Sequence, residues 1–320
     1  MEGVPVFMFL IALLIGCTSV QIDAVLATRP LESQQEVTHF QKPISEILTQ
    51  LCKETGVACE ADLDYFVHVM GTVETVGSIS RQEGIKTIND FQHFFVEPAL
   101  VVGEKMNLDS NLRDSIPLRP FLNDEDARLI PALTVPNLPA IFDIFSVDRR
   151  SKQAAMIATS AYLCESPALP GEARACLTSL EAMSDFVAKQ MGSNVQLLAT
   201  IGAPKAPPTH KAPVTIVDFH TSSIEQAAHI VVCHNIMFPA QAYYCHAVRR
   251  TKVIEASLKV DAPSDYTIHA VGICHLDTSL WASSHPAFAA LNVPNGAEAC
   301  HWTVEGDLVW VPATKPTSKV

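Results

Sequence analysis

Between Val214 and Val311 the chain runs as short apolar stretches broken by turn residues. Segments 214–219 (VTIVDF), 229–234 (HIVVCH), 242–248 (AYYCHAV), 253–260 (VIEASLKV), 267–274 (TIHAVGIC) and 308–311 (LVWV) are rich in β-branched and aromatic residues. Turn chemistry at 261–265 (DAPSD) and 294–296 (PNG) separates them, so the pattern predicts an antiparallel sheet. Upstream the period changes. Ser151 is placed to cap a helix running along 152–163 toward Cys164. Leu177, Leu180, Met183 and Val187 recur at helical spacing and predict a second helix from about Glu172 to Met191, stopped by Gly192. Cys164 and Cys176 flank the turn between these helices, where a disulfide would staple a helical hairpin. Residues 94–108 read as a strand, a turn at Gly103 and another strand. The class is therefore α+β: a helical hairpin followed by a mainly antiparallel, β-rich, disulfide-stapled region.

The N-terminal third has another texture. The apolar run Val4–Gly16 is shorter than the roughly 20 residues a membrane span needs, and it reads as the core of a secretory signal, although Glu2 stands where a basic residue is usual. Val25 and Ala27 form a small-residue cleavage pair, giving a signal peptide over 1–27 and a mature chain from Thr28. A leader region over 28–93 follows, with an amphipathic helix opened by Pro43 and a local disulfide loop between Cys52 and Cys59. The Pro-rich stretch 202–213 reads as a surface connection within the domain that begins at 94 and runs to about 315.

Composition narrows the function. The formal net charge is −12 over 320 residues, and lysines and arginines nowhere cluster, which excludes a phosphate-tracking nucleic-acid binder. The expectation is a secretory-pathway protein of the extracellular space, cell wall or vacuole, free of the membrane once the signal is removed. Removing the signal takes Cys17 with it and leaves eight cysteines, an even number that suits disulfides in an oxidising compartment.

Four of these cysteines directly precede a histidine: Cys233-His234, Cys245-His246, Cys274-His275 and Cys300-His301. Adjacent residues on a strand point to opposite faces, so each dipeptide sends sulfur one way and imidazole the other. The sulfurs can then pair, in any of three connectivities, while the four imidazoles gather. Imidazoles without thiolate suit copper(II), zinc or nickel, with copper the tightest at equal geometry. A mixed Cys/His zinc site is the rival and needs reduced sulfurs. His285 and Asp277 are candidates for an extra ligand or a partner behind the ligands. His269, Trp281, Trp302 and Trp310 read as packing residues. The chain has no G-x-S-x-G, H-E-x-x-H or phosphate-binding glycine loop, and its acidic run Asp124-Glu125-Asp126 reads as a solvated turn.

The four dipeptides, spaced 10, 27 and 24 residues apart in the notation CH-x-CH, resemble the signature of the plant BURP domain. Phe94-Phe95, Gly103, Met106, Phe121-Leu122, Ile130-Pro131, Cys164-Glu165, Gly171-Glu172, Cys176, the block 178–183 (TSLEAM), Tyr243-Tyr244, Leu276–Ser279, Trp281, His285 and Trp310-Val311-Pro312 extend that resemblance over about 94–312. Asn123-Asp124 departs from the family's Pro-Arg. The resemblance implies a pairing of Cys164 with Cys176 and copper ligation by His234, His246, His275 and His301. It implies either a non-enzymatic role in development, stress response or the cell wall, or a copper-dependent oxidative peptide cyclase. Residues 28–93 hold no Trp, a single tyrosine (Tyr65) and no Gln-Pro, so they offer no core peptide of their own. The expectation is a non-enzymatic protein whose partner is a cell-wall component, with cyclisation of a separate peptide as the alternative.

Overall fold

Two antiparallel sheets organise the computed structural model, which describes residues 93–108, 112–203, 212–222, 229–261 and 266–313. The expected signal peptide, the leader region with the helix expected at Pro43 and the disulfide loop expected between Cys52 and Cys59, and most of the Pro-rich stretch lie outside the described residues. The strands are β1 (His93–Phe95), β2 (Lys105–Leu108), β3 (Ala173–Leu177), β4 (Val195–Leu198), β5 (Ala212–Thr221), β6 (Ile230–Ile236), β7 (Ala242–Val248), β8 (Thr251–Val260), β9 (Thr267–His275), β10 (Ala299–Trp302) and β11 (Leu308–Pro312). One sheet has the order β1-β10-β9-β8-β5-β2 and the other β3-β7-β6-β11-β4. All the strand pairings within them are antiparallel.

The helices are α1 (Asp124–Leu129), α2 (Leu138–Ile144), α3 (Lys152–Glu165), α4 (Leu180–Met191) and α5 (Pro286–Leu291). Their starts are written in the sequence. Asn123 accepts the Asp126 amide, Ser151 the Ala154 amide and Ser179 the Ala182 amide, each satisfying a donor the first turn leaves open. The acidic run 124–126 is the first turn of α1, where negative charge complements the helix dipole. Gly192, at φ 77°, ends α4. No helix among the described residues is long and apolar enough to cross a membrane.

The second helix starts at Leu180 and not near Glu172. Residues 173–177 are a strand, registered against β7 from Ala173↔Ala247 to Leu177↔Tyr243. Alanines favour helix locally, but five paired residues at a sheet edge outweigh that weak preference. The expected helical hairpin is thus interrupted by β3, and the Cys164–Cys176 disulfide ties α3 to that strand.

Four apolar clusters hold the layers. Val232, Val253, Val271, Ile273, Val309 and Val311 pack between the sheets. Met183 and Val187 of α4 cover the outer face of the five-stranded sheet against Tyr243 and Trp310. Phe95, Leu108, Ile216 and Trp302 cover the outer face of the six-stranded sheet. Helices α2 and α3 pack on the corner 236–242 through Phe145, Ile157 and Phe238.

Candidate metal centre

The four Cys-His dipeptides lie on β6, β7, β9 and β10, two in each sheet. In the five-stranded sheet Cys233 sits directly opposite Cys245, and in the six-stranded sheet Cys274 sits directly opposite Cys300. Both pairs are disulfide-bonded, which selects one of the three connectivities that spacing alone leaves open. All four sulfur residues are fully buried in the outer-face clusters.

One step along each strand turns the imidazole to the opposite face. His246 lies opposite Val232 and His301 opposite Ile273, and both apolar partners belong to the layer between the sheets. The two histidines of each sheet are diagonal neighbours, because each cysteine pair sits in register between them. The result is a row of rings. His246 and His234 have centroids 5.5 Å apart, His234 and His301 6.3 Å, and His301 and His275 5.6 Å. The middle step joins one sheet to the other. Two imidazoles on one ion at about 2 Å have centroids about 5–6.5 Å apart, so neighbouring rings stand at ligand separation.

Three rings have an oriented tautomer. His234 Nδ1 is 3.1 Å from Asp307 Oδ2, His246 Nδ1 is 2.8 Å from Glu172 Oε1, and His301 Nδ1 is 3.3 Å from the Trp302 carbonyl. Carboxylate and carbonyl oxygens accept, so each Nδ1 carries the proton and each Nε2 presents its lone pair. A carboxylate or carbonyl behind an imidazole is the arrangement that orients metal-binding histidines.

Electrostatics keep most of the row neutral. Burial holds His301 down at about 4, reinforced by His234, against the pull of the Trp302 carbonyl and Asp307. Burial and the neighbouring histidines push His275 well below the usual imidazole range. Burial also lowers His246, which Glu172 only partly offsets. For His234, burial is outweighed by Asp307 and Asp114, and its pKa rises.

A polar network backs the row. The Asn235 amide donates to Asp307 Oδ1 at 3.1 Å, and its side-chain nitrogen donates to Asp114 Oδ2 at 2.6 Å. Gln241 donates to Asn235 Oδ1 at 2.7 Å. Arg119 also donates to Asn235 Oδ1, at 3.1 Å, and to the carbonyls of Ile236 and Phe238 at 2.9 and 2.8 Å. Burial and the charge of Asp307 push Asp114 up to about 7. In front of the row lies a cavity of about 600 Å³, walled by Met156, Thr159 and Leu163 of α3 and by Tyr244, His246 and His301.

The other candidates fall around this centre. His285 accepts the Ala287 amide at the start of α5, and its ring lies 4.3 Å from Trp281, which is itself 5.0 Å from His275. Trp281 is therefore part of the row's aromatic edge, whereas Trp302 and Trp310 are buried packing residues. Asp277 turns away to Arg250, at 2.6 Å, and accepts the Ser279 amide. His269, read as core, is exposed on β9. Cys274, Glu298 and Cys300 bring ligand-type atoms within 4.8 Å of one another, but the two sulfurs are bonded to each other. No thiolate is left in the four dipeptides for a mixed Cys/His zinc site. In the sequence Glu172 stands out only as part of the Gly171-Glu172 motif and Asp307 not at all; neither shows its role behind His246 and His234, since they lie 74 and 73 residues from their partners.

The BURP domain family model matches residues 93–312. The chain belongs to the BURP domain family. It is 35% identical over 223 residues to BURP domain-containing protein 12 of Oryza sativa subsp. japonica, covering 69% of this chain and 34% of that protein. It is 32% identical over 232 residues to Polygalacturonase 1 beta-like protein 2 of Arabidopsis thaliana, covering 70% and 36%. It is 32% identical over 250 residues to Polygalacturonase non-catalytic subunit AroGP3 of Solanum lycopersicum, covering 76% and 38%. The chain thus spans little more than a third of the length of these plant BURP relatives.

Proposed function

We propose that this BURP protein is secreted and acts without catalysis of its own, as an accessory protein at the plant cell wall whose partner is a polygalacturonase-type enzyme. The observation that carries this reading is the 32% identity, over 250 residues, to a protein named as a non-catalytic polygalacturonase subunit. Three disulfides fit an oxidising compartment, and the absent catalytic motifs fit a binding role. A role in development or stress response would follow from where the partner enzyme is made. The test is size-exclusion chromatography of the purified mature protein with a plant polygalacturonase. Co-elution, with slower heat inactivation of the enzyme, is expected. Separate elution at micromolar concentrations together with unchanged inactivation overturns the reading.

The imidazole row supports copper as the ion of this protein, held by His234, His246, His275 and His301, three of them through Nε2. Bound copper(II) would supply one-electron oxidising capacity. The protein's own groups would fix ring orientation through Asp307, Glu172 and the Trp302 carbonyl, and keep the lone pairs free. A second reading, an oxidative cyclase acting on a separate peptide, is favoured by the cavity of about 600 Å³ lined by His234, His246 and His301. Elemental analysis after copper loading and desalting tests the ion. Copper retained by the parent and lost from a His234→Ala, His275→Ala variant is expected, and a copper-free parent overturns it.

A further inference from the structure

The carboxylate behind His246 comes from an unusual place. Residues 166–172 join α3 to β3 as a surface loop, and Pro167, Ala168, Leu169, Pro170 and Gly171 are all exposed. Glu172 is the member turned inward, with 12% of its side chain exposed. One of its oxygens meets His246 Nδ1 at 2.8 Å, and the other accepts the Leu169 amide at 2.8 Å within the same loop. The loop is closed by Cys164–Cys176, whose ends stand 12 residues apart in sequence. Cys176 lies opposite Tyr244 on β3, on the same face as Arg174, which lies opposite His246. The disulfide is thus anchored beside the row it serves.

The three described disulfides differ in access. Cys233, Cys245, Cys274 and Cys300 are each 0% exposed, whereas Cys164 and Cys176 are half-buried at the foot of the exposed loop. Thiol exchange requires a thiolate to reach a sulfur, so a dithiol reductant attacks Cys164–Cys176 first. That reaction breaks one S–S bond, forms two S–H groups and closes the dithiol into its cyclic disulfide, passing two electrons and two protons. The loop then loses its covalent closure and is free to carry Glu172 away from His246.

We propose that Glu172 is the positioning residue for His246, that the Cys164–Cys176 bond holds it in place, and that reduction of this one disulfide loosens the metal-binding end of the row. The consequence for metal affinity rests on the copper reading above. The tautomer of His246 does not.

The test is two-bond ¹⁵N–¹H NMR of histidine-labelled, metal-free full-length protein, paired with competition titrations of copper(II). The parent shows His246 with its proton on Nδ1. In Glu172→Ala the His246 signals move to a mixture of tautomers while those of His234, held by Asp307, stay. Copper(II) affinity falls about 10–100-fold. Glu172→Gln, which keeps an acceptor oxygen, recovers part of both. Mild dithiol treatment of the parent, stopped when alkylation and mass mapping find Cys164 and Cys176 modified and Cys233, Cys245, Cys274 and Cys300 intact, reproduces the Glu172→Ala signals without any substitution. An unchanged His246 tautomer in Glu172→Ala, or in the selectively reduced parent, overturns the proposal even when copper binds. A tautomer that responds in a protein that binds no copper sustains the positioning role and removes only the metal reading.

Discussion

Replacing Arg119 by Met removes the fork that closes the corner between β6 and β7. Its two terminal nitrogens donate to the Phe238 and Ile236 carbonyls at 2.8 and 2.9 Å, to Asn235 Oδ1 at 3.1 Å and to Met237 sulfur at 3.2 Å. Met keeps the apolar stem and loses every donor. Asn235 Oδ1 retains the bond from Gln241 and Ile236 stays paired with Ala242 in the β6–β7 ladder, so the loss falls most heavily on the Phe238 carbonyl. Ile236 is 5% exposed and Phe238 is 0% exposed, so water reaches them poorly. Each unsatisfied buried group costs about 1–3 kcal/mol. Burial already holds the Arg119 guanidinium down at about 10, so losing the buried charge returns part of that. The expected loss is about 2–3 kcal/mol, or about 4–12 °C in Tm for a domain of this size. Lys at the same position keeps the charge but reaches one carbonyl, and should lose about half as much. The assay is urea unfolding at pH 7 with disulfides intact, followed by tryptophan emission, with m unchanged. A loss under about 0.5 kcal/mol in Arg119→Met refutes the reasoning, because the carbonyls would then be re-paired or solvated.

Other consequences are equally direct. A Cβ at Gly272 would lie 3.1 Å from Phe95 Cζ and from two Trp302 ring carbons, so Gly272→Ala should cost about 1–3 kcal/mol, read as a lower urea midpoint; an unshifted midpoint contradicts that packing. His301 is held at about 4 against an ordinary 6.5, so the unfolded chain takes up this proton first as pH falls. Its contribution to stability is therefore lost between about pH 6.5 and 4, up to about 3 kcal/mol, and a His301→Gln variant in EDTA should lack that slope; parallel midpoint-versus-pH curves would count against it. Copper(II) held by the row should quench Trp281, 5.0 Å from His275, more than the other tryptophans, and Trp281→Phe should remove most of the quenching.

Much of the β-rich half was legible because short runs of β-branched and aromatic residues with turn residues between them leave few readings. The helix start at Ser151 was also legible, since a serine before an apolar face is a cap with a mechanism, whereas the cap at Ser179 was passed over in favour of a start near Glu172. β3 was missed because Ala173 and Ala175 look helical and only pairing with β7 makes them a strand. β10 was missed because four residues carry too little periodicity. Of the site, the split between sulfur and imidazole followed from strand parity alone. The pairing of Cys233 with Cys245 and of Cys274 with Cys300 needed the register. The roles of Glu172, named only as half of a family motif, and of Asp307 were invisible because a buried carboxylate in a loop looks like any surface acid until its partner, far along the chain, is brought beside it.

Each half of the imidazole row is built within one sheet. Cys233 and Cys245 are 12 residues apart in a single hairpin, and Cys274 and Cys300 are 26 apart on neighbouring strands. Either half can be oxidised and set in register while the sheets are still separate, since neither needs the other's backbone. The 6.3 Å step from His234 to His301 exists only after the halves dock. An ion held across that step would be a clasp fitted last, and its uptake would report the docking of sheet on sheet.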